Sequence, residues 1–482
     1  MKKHVSLVIF LLFFVTSMVD NASAASEVET DKDIPYAITN VTIVDVKEGR
    51  LQPDMTVIIK ENEIVQVEPS GKAIVPKEAL IYNGTGKYLI PGLWDMHVHL
   101  LDDQEIAFPY LLANGVTGIR DMGATMSQLQ EWQNTVDAGT LAPHLFFSGP
   151  ALDGARTMGD GSLMQWNLKT EDEAREKVKE LKEFGVHFLK VYTYLPRNVY
   201  LAIADEAKKQ GLTFAGHVPY EVSAMEASEV GQKSIEHFYG ILIASSRQEA
   251  EIRKQYANHI PYIFAVDLSA AQSYDEEKAE TLFETFAKNQ THIVPTLATF
   301  HHLLRDIDPS RTQYAPTDVQ KVWIDYQEKN REGLEMSRAV IGRLYEIYPK
   351  LIVAMKERGV PIMAGTDTIW SDKEPIPNVF GFSLHDELEL LVEAGLTPLE
   401  ALQAATVIPV KFLGVDAQAG SIEEGKWADL VLLDQNPLED ITHTRSISAV
   451  VTDGKLLDSE ALQSMVKKYP SPTEGERVFP SE

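Results

Sequence analysis

Leu89-Ile-Pro-Gly-Leu-Trp-Asp-Met-His-Val-His-Leu100 is the stretch whose reading decides the fold. After Pro91-Gly92 it reads as an apolar, buried strand. Side chains two apart on a strand share a face, so His97 and His99 present two imidazoles side by side at its end. A His-x-His pair by itself also occurs on ordinary surface strands. Here the pair closes a buried-looking run, and further candidate ligands recur at strand ends downstream.

Working outward, short apolar strands alternate with helical stretches. Strands are predicted at 93–99, 115–121, 145–150, 186–194, 213–218, 234–238, 293–296 and 361–368, with helices such as 171–184, 197–210 and 318–358 between them. Strands with helical crossovers in this order predict an α/β fold, a (β/α)8 TIM-type barrel over 91–410. A doubly wound open sheet is the rival, but no glycine-rich phosphate turn follows the first strand. The long connections before Ile293 and Pro361 suit a lid, an oligomer contact or plain padding.

Both flanks of the barrel are β-rich. Strands are expected at 37–46, at 55–67 around a Glu61-Asn62-Glu63 turn, and at 79–89 around Asn83-Gly84; then at 428–434 and 447–452 before the Asp453-Gly454 turn. Each flank has few strands alone, which predicts one small β-sandwich built from 36–90 and 411–470. Residues 1–24 read as a signal peptide: Lys2-Lys3, an apolar run from Val5 to Val15, then Ala22-Ser23-Ala24. The run is short for a membrane span, so an exported protein without a stable span after processing is expected.

The formal charge of −27 argues against nucleic acid or an anionic membrane as partner and leaves a small-molecule substrate, with homo-oligomer formation open. With no cysteine, thiolate metal sites and cysteine nucleophiles are excluded. Any metal must be held by histidine, carboxylate or something less common.

In a barrel of this type, chemistry sits at the C-terminal ends of the strands. Those ends carry His97 and His99, Lys190 in Phe188-Leu-Lys-Val-Tyr192, His217 in Phe214-Ala-Gly-His-Val-Pro219, His237 in Ser234-Ile-Glu-His-Phe238 and Asp367 in Ala364-Gly-Thr-Asp-Thr368. Singly, each has a dull explanation: a core histidine, or a helix-capping aspartate. Lys190 is hardest to dismiss, because an unpaired lysine inside an apolar strand is costly. Together the six converge on one mouth.

The sequence resembles the amidohydrolase superfamily, in particular its imidazolonepropionase-like and prolidase-like branch. The resemblance rests on 89–99, Gly115-Val-Thr-Gly-Ile-Arg-Asp121, Ser383-Leu-His-Asp-Glu-Leu-Glu389 with Ala394-Gly-Leu-Thr-Pro398, and Gly420-Ser-Ile-Glu-Glu-Gly-Lys-Trp-Ala-Asp-Leu430. It implies that His97, His99 and Asp367 bind one divalent metal and His217 and His237 a second. It also implies that carbamylated Lys190 bridges them. Such nitrogen and oxygen ligands suit zinc, with manganese or cobalt as alternatives. The implied activity is hydrolysis of C–N (amide, peptide or cyclic amide) bonds by metal-activated hydroxide, with Asp367 relaying the proton.

Tyr192 and Tyr194 share the face of Lys190 by strand parity, and Tyr192 is the candidate substrate-binding residue; Tyr220 is a further one. His144, His187, His259 and His385 read as structural, His301-His302 as substrate-side candidates, and Arg120-Asp121 as an ion pair. Prolidase-like relatives often carry a Gly-Gly-His-like turn after strand three. Here Met158 stands where that histidine belongs, with Arg156 nearby, which puts a dipeptide carboxylate site in doubt. An esterase or lactonase on the same site is the alternative activity, and a non-catalytic exported binding protein the alternative class.

Overall fold

Leu93–His99 is a strand buried throughout except at His99, and the barrel closes around it. A computed structural model describes residues 34–155, 164–256, 263–371 and 376–467; the expected signal peptide lies outside them. On one side Leu93–His99 pairs in parallel with Val116–Asp121, which pairs with His144–Phe147. In a second sheet Ala151–Asp153 pairs with Phe188–Val191, followed by Thr213–Gly216, Ser234–Glu236 and His292–Val294, all parallel. Ile293 bridges to Ile362, and Thr368–Ile369 returns to Val98 and His99. Eight parallel positions in sequence order make the TIM-type barrel the pattern predicts.

The helices follow ordinary local rules. Thr170 and Glu173 form a capping box at the start of Glu171–Phe184, and Gly185 ends it in the left-handed region. Arg197–Gln210 ends likewise at Gly211. The long stretch expected at 318–358 divides into Thr317–Lys329, Arg331–Tyr345 and Tyr348–Glu357. No helix among the described residues is long and apolar enough to cross a membrane.

Both chain ends meet in one β-rich unit, as the flanking pattern predicts, its eight strands hydrogen-bonded in a continuous sheet around a core of its own. The expected strand at 79–89 is two strands, Leu80–Asn83 and Tyr88–Pro91. Both pair in parallel with Tyr36–Asp45. Tyr88–Pro91 joins the two ends by antiparallel pairing with Leu430–Leu433. Alternation sorts the side chains. Leu430 and Leu432 join Ile38, Val57, Ile59 and Leu89 in the sheet's own core, while Val431 and Leu433 join the main barrel core.

One irregularity prepares the site. The register of Leu93–His99 against its neighbour shifts between Asp95 and Val98, the sign of a bulge, and bulges re-aim side chains. Trp94 and Met96 pack with Val294 and Met363, and the next two odd positions, His97 and His99, face Asp367.

Candidate metal centre

The carboxylate of Asp367 is where the histidines meet. Its Oδ1 lies 3.2 Å from His97 Nε2 and 3.4 Å from His99 Nε2. Its Oδ2 lies 3.9 Å from His237 Nδ1. His97, His99 and Asp367 each offer a ligand atom within 4.8 Å of the others. The His237 ring is 4.6 Å from that of His97 and 5.2 Å from that of His217, centroid to centroid. Burial would raise the Asp367 carboxyl, but His237, His97 and His99 outweigh it and hold the group well below the usual carboxylate range.

Three of the imidazoles are fixed through Nδ1. His97 Nδ1 is 2.9 Å from Glu236 Oε2, His217 Nδ1 is 2.7 Å from Thr193 Oγ1, and His237 Nδ1 is 2.7 Å from Thr296 Oγ1. A histidine engaged at one ring nitrogen keeps the other as a ligand atom, and such outer partners orient metal ligands. Burial lowers the pKa of His217 well below its ordinary value and that of His237 to about 3. Both rings are therefore in the neutral form that binds a metal.

Glu236 is itself anchored. Arg120 Nη2 donates to both its oxygens at 3.0 Å, while Arg120 Nε donates to Met96 O and Nη1 to Ser234 Oγ. This corrects the expected Arg120–Asp121 ion pair. Neighbours on a strand face opposite ways, so Asp121 turns instead to the amides of Leu100 and Gly123. Sequence reasoning missed Glu236, Thr193 and Thr296. Glu236 had a signal: it is a carboxylate inside a buried strand, as anomalous as Lys190.

Lys190 is 1% exposed and its Nζ has no hydrogen-bond partner among the described residues. Burial lowers its pKa to about 8. Buried polar groups are rarely left unpaired. One orphaned amine beside a carboxylate and four imidazoles, with no sulfur, is the donor set for hard or borderline divalent cations. The residues fit a metal centre.

Around it, the Tyr192 ring stacks on His217 at 4.2 Å and lies 5.7 Å from Lys190 Nζ. Tyr194 and Tyr220 stand together one step outward, 5.8 Å apart. Tyr239, unremarked in the sequence, packs on both His217 and His237. Arg156, Met158 and His259 lie outside the described residues.

Other described histidines make contacts elsewhere. His144 bonds Asp429 and stacks on Trp427, and His187 accepts from the amide of Phe147. His302 contacts Asn378 and Asp386, with His301 beside it. His385 sits in helix Phe382–Glu393, bonded to Thr444 Oγ1 and Asn114 O. Burial lowers its pKa to about 3. The unfolded chain takes up this proton near pH 6.5, the folded chain only near 3, so stability falls as pH drops through that window. His385→Gln should flatten the slope by up to about 1.4 kcal/mol per pH unit, read from urea unfolding at pH 5 and 7.

Comparison with known proteins agrees with this geometry. Residues 332–457 match the amidohydrolase family model. Ochratoxinase from Aspergillus niger is 24% identical over 433 residues, covering 76% of this chain and 75% of that protein. Among solved structures, a putative prolidase from Bifidobacterium longum superposes with a TM-score of 0.64 at 27% identity, over 90% of this chain and 99% of that one. Bottromycin amidohydrolase has a TM-score of 0.70 at 22% identity, over 89% and 88%. Over residues 332–457 the chain carries a match to the amidohydrolase family, and across most of its length it is similar in sequence and fold to amidohydrolases.

Proposed function

We propose that this hydrolase is an exported, binuclear zinc enzyme that cleaves carbon–nitrogen bonds of amides, peptides or cyclic amides. The observation that carries this reading is Lys190: a buried, unpartnered amine beside two histidine groups that share the Asp367 carboxylate. His97, His99 and Asp367 would hold one ion and His217 and His237 the other. Lys190 Nζ, as the neutral amine, would add to the carbon of CO2 and release a proton from nitrogen, and the resulting carbamate would be an anionic oxygen ligand shared by the two groups. Bound there, two ions lower the pKa of a water and polarise a carbonyl oxygen.

The chain's own groups do the rest. Asp367 accepts the proton of the attacking water and delivers it to the leaving nitrogen as the C–N bond breaks, giving a carboxylic acid and an amine. Tyr192, on the His217 side, is placed to donate to the oxygen that gains charge. Relatives named prolidase and amidohydrolase support this bond class.

Metal counts on purified protein, combined with a screen of amides, dipeptides, cyclic amides, esters and lactones, test the proposal. Two zinc ions with amide turnover are expected. Turnover confined to esters or lactones would replace the bond class, and two ions with no turnover anywhere would make the chain a binding protein. For export, the mature N-terminus should lie near Ala25; intact Met1 on exported, functional protein would overturn that part.

A further inference from the structure

Four residues near Asp367 hold left-handed backbone: His237 at φ 58°, Phe238 at 60°, Thr296 at 52° and Asp367 itself at 54°. For Thr296, which is β-branched, this conformation is a genuine outlier. Such strain persists only where the surroundings over-determine it.

The surroundings of Thr296 can be named. It is the N-cap of helix Leu297–Leu303, where a threonine hydroxyl ordinarily accepts from an amide in the first turn. Here the hydroxyl caps nothing and reaches His237 Nδ1 at 2.7 Å. The amides are taken by another helix. Ala298 N donates to Glu387 Oε2 at 2.7 Å, and the backbone of Leu297 bonds the same side chain. Glu387, from helix Phe382–Glu393, is fully buried, and its Oε1 has no hydrogen-bond partner among the described residues. A carboxylate in that position is costly, though a helix N-terminus favours it. Thr299 Oγ1 adds a bond to Thr366 O, beside Asp367.

We propose that Glu387 is a positioning residue for His237: by capping Leu297–Leu303 in place of Thr296, it frees the threonine hydroxyl to hold His237 Nδ1 and so assigns Nε2 to the ion. This rests on the reading of His237 as a ligand of the second ion. The role belongs to the Leu384-His-Asp-Glu-Leu388 segment, in which each polar side chain ties down a different part of the fold. His385 bonds Thr444 and Asn114, Asp386 bonds Arg311 and Arg445, and Glu387 bonds the helix after strand seven.

The test compares Glu387→Ala, Glu387→Gln, Thr296→Val, Thr296→Ser and the Glu387→Ala/Thr296→Val double variant in the full chain. Glu387→Gln and Thr296→Ser keep the acceptor and the hydroxyl. Zinc titration against a chromophoric chelator gives the affinity of the weaker-bound ion. In metal-free protein, 15N-histidine spectra show which nitrogen of His237 carries the proton. Glu387→Ala and Thr296→Val should each weaken the second ion by about 10–100-fold, and the double variant should be no worse than the worse single. The two conservative variants should stay near wild type. Metal-free wild type should show one His237 tautomer, protonated at Nδ1, and the two disruptive variants a mixture.

Wild-type affinity and tautomer in Glu387→Ala, or losses that add in the double variant, would overturn the proposal. Should Glu387→Ala fail to fold, Glu387→Met, which fills the space without an acceptor, is read by the same outcomes. A wild type that binds one ion would refute the two-metal reading instead, and the metal-free tautomer would still decide the role of Glu387.

Discussion

Asp367→Asn should lose about 10²–10⁴ in kcat, the range typical for removal of a general acid or base, while keeping its fold and most of its metal. The side-chain oxygen of asparagine still reaches the space between His97 and His99, which lie 3.2 Å and 3.4 Å from Asp367 Oδ1. An amide does not relay a proton at neutral pH. The substitution therefore separates the two tasks assigned to one carboxylate. Metal analysis and steady-state rates on the same preparation check it. Near wild-type kcat with normal metal content would remove Asp367 from the proton path.

Lys190→Ala should lose both ions to a large extent, and activity with them. The strand Phe188–Val191 is buried along its whole length, so the alanine variant leaves a slot the length of a lysine carbamate opening between the two histidine groups. Short carboxylic acids fit that slot and carry the missing charge. Added acetate or propionate should restore part of the metal content and part of the rate together. The mass of native, metal-replete protein should show the added CO2. Unmodified Lys190 in active enzyme, or an alanine variant with two ions and full rate, would rule the bridge out.

Much of this architecture was readable from the sequence because parallel barrel strands, buried on both faces, announce themselves as near-continuous apolar runs. Any polar residue at the end of such a run stands out, as His97, His99, Lys190, His217, His237 and Asp367 do in this sequence. The supporting groups were hidden for the opposite reason. His97 and Glu236 are separated by 139 positions and meet only across the barrel. Thr193 and Thr296 are ordinary loop residues until the chain turns their hydroxyls inward. Arg120 and Asp121, adjacent in sequence, face opposite sides of their strand, so Arg120 bonds Glu236 and Asp121 the amide of Leu100. The flanking sheet is harder still: the turn at Asn83-Gly84 separates two strands that pair with one neighbour, and no local pattern reveals a shared partner.

The seam between Tyr88–Pro91 and Leu430–Leu433 has a consequence for biogenesis. At a synthesis rate of ~5–20 residues per second, the first of these strands waits tens of seconds for the second, about 340 residues behind it. During that time its free edge is a template for pairing with other nascent chains. The barrel cannot finish first either, since Val431 and Leu433 complete its core. Pairing across this seam therefore waits until Leu430–Leu433 has been made.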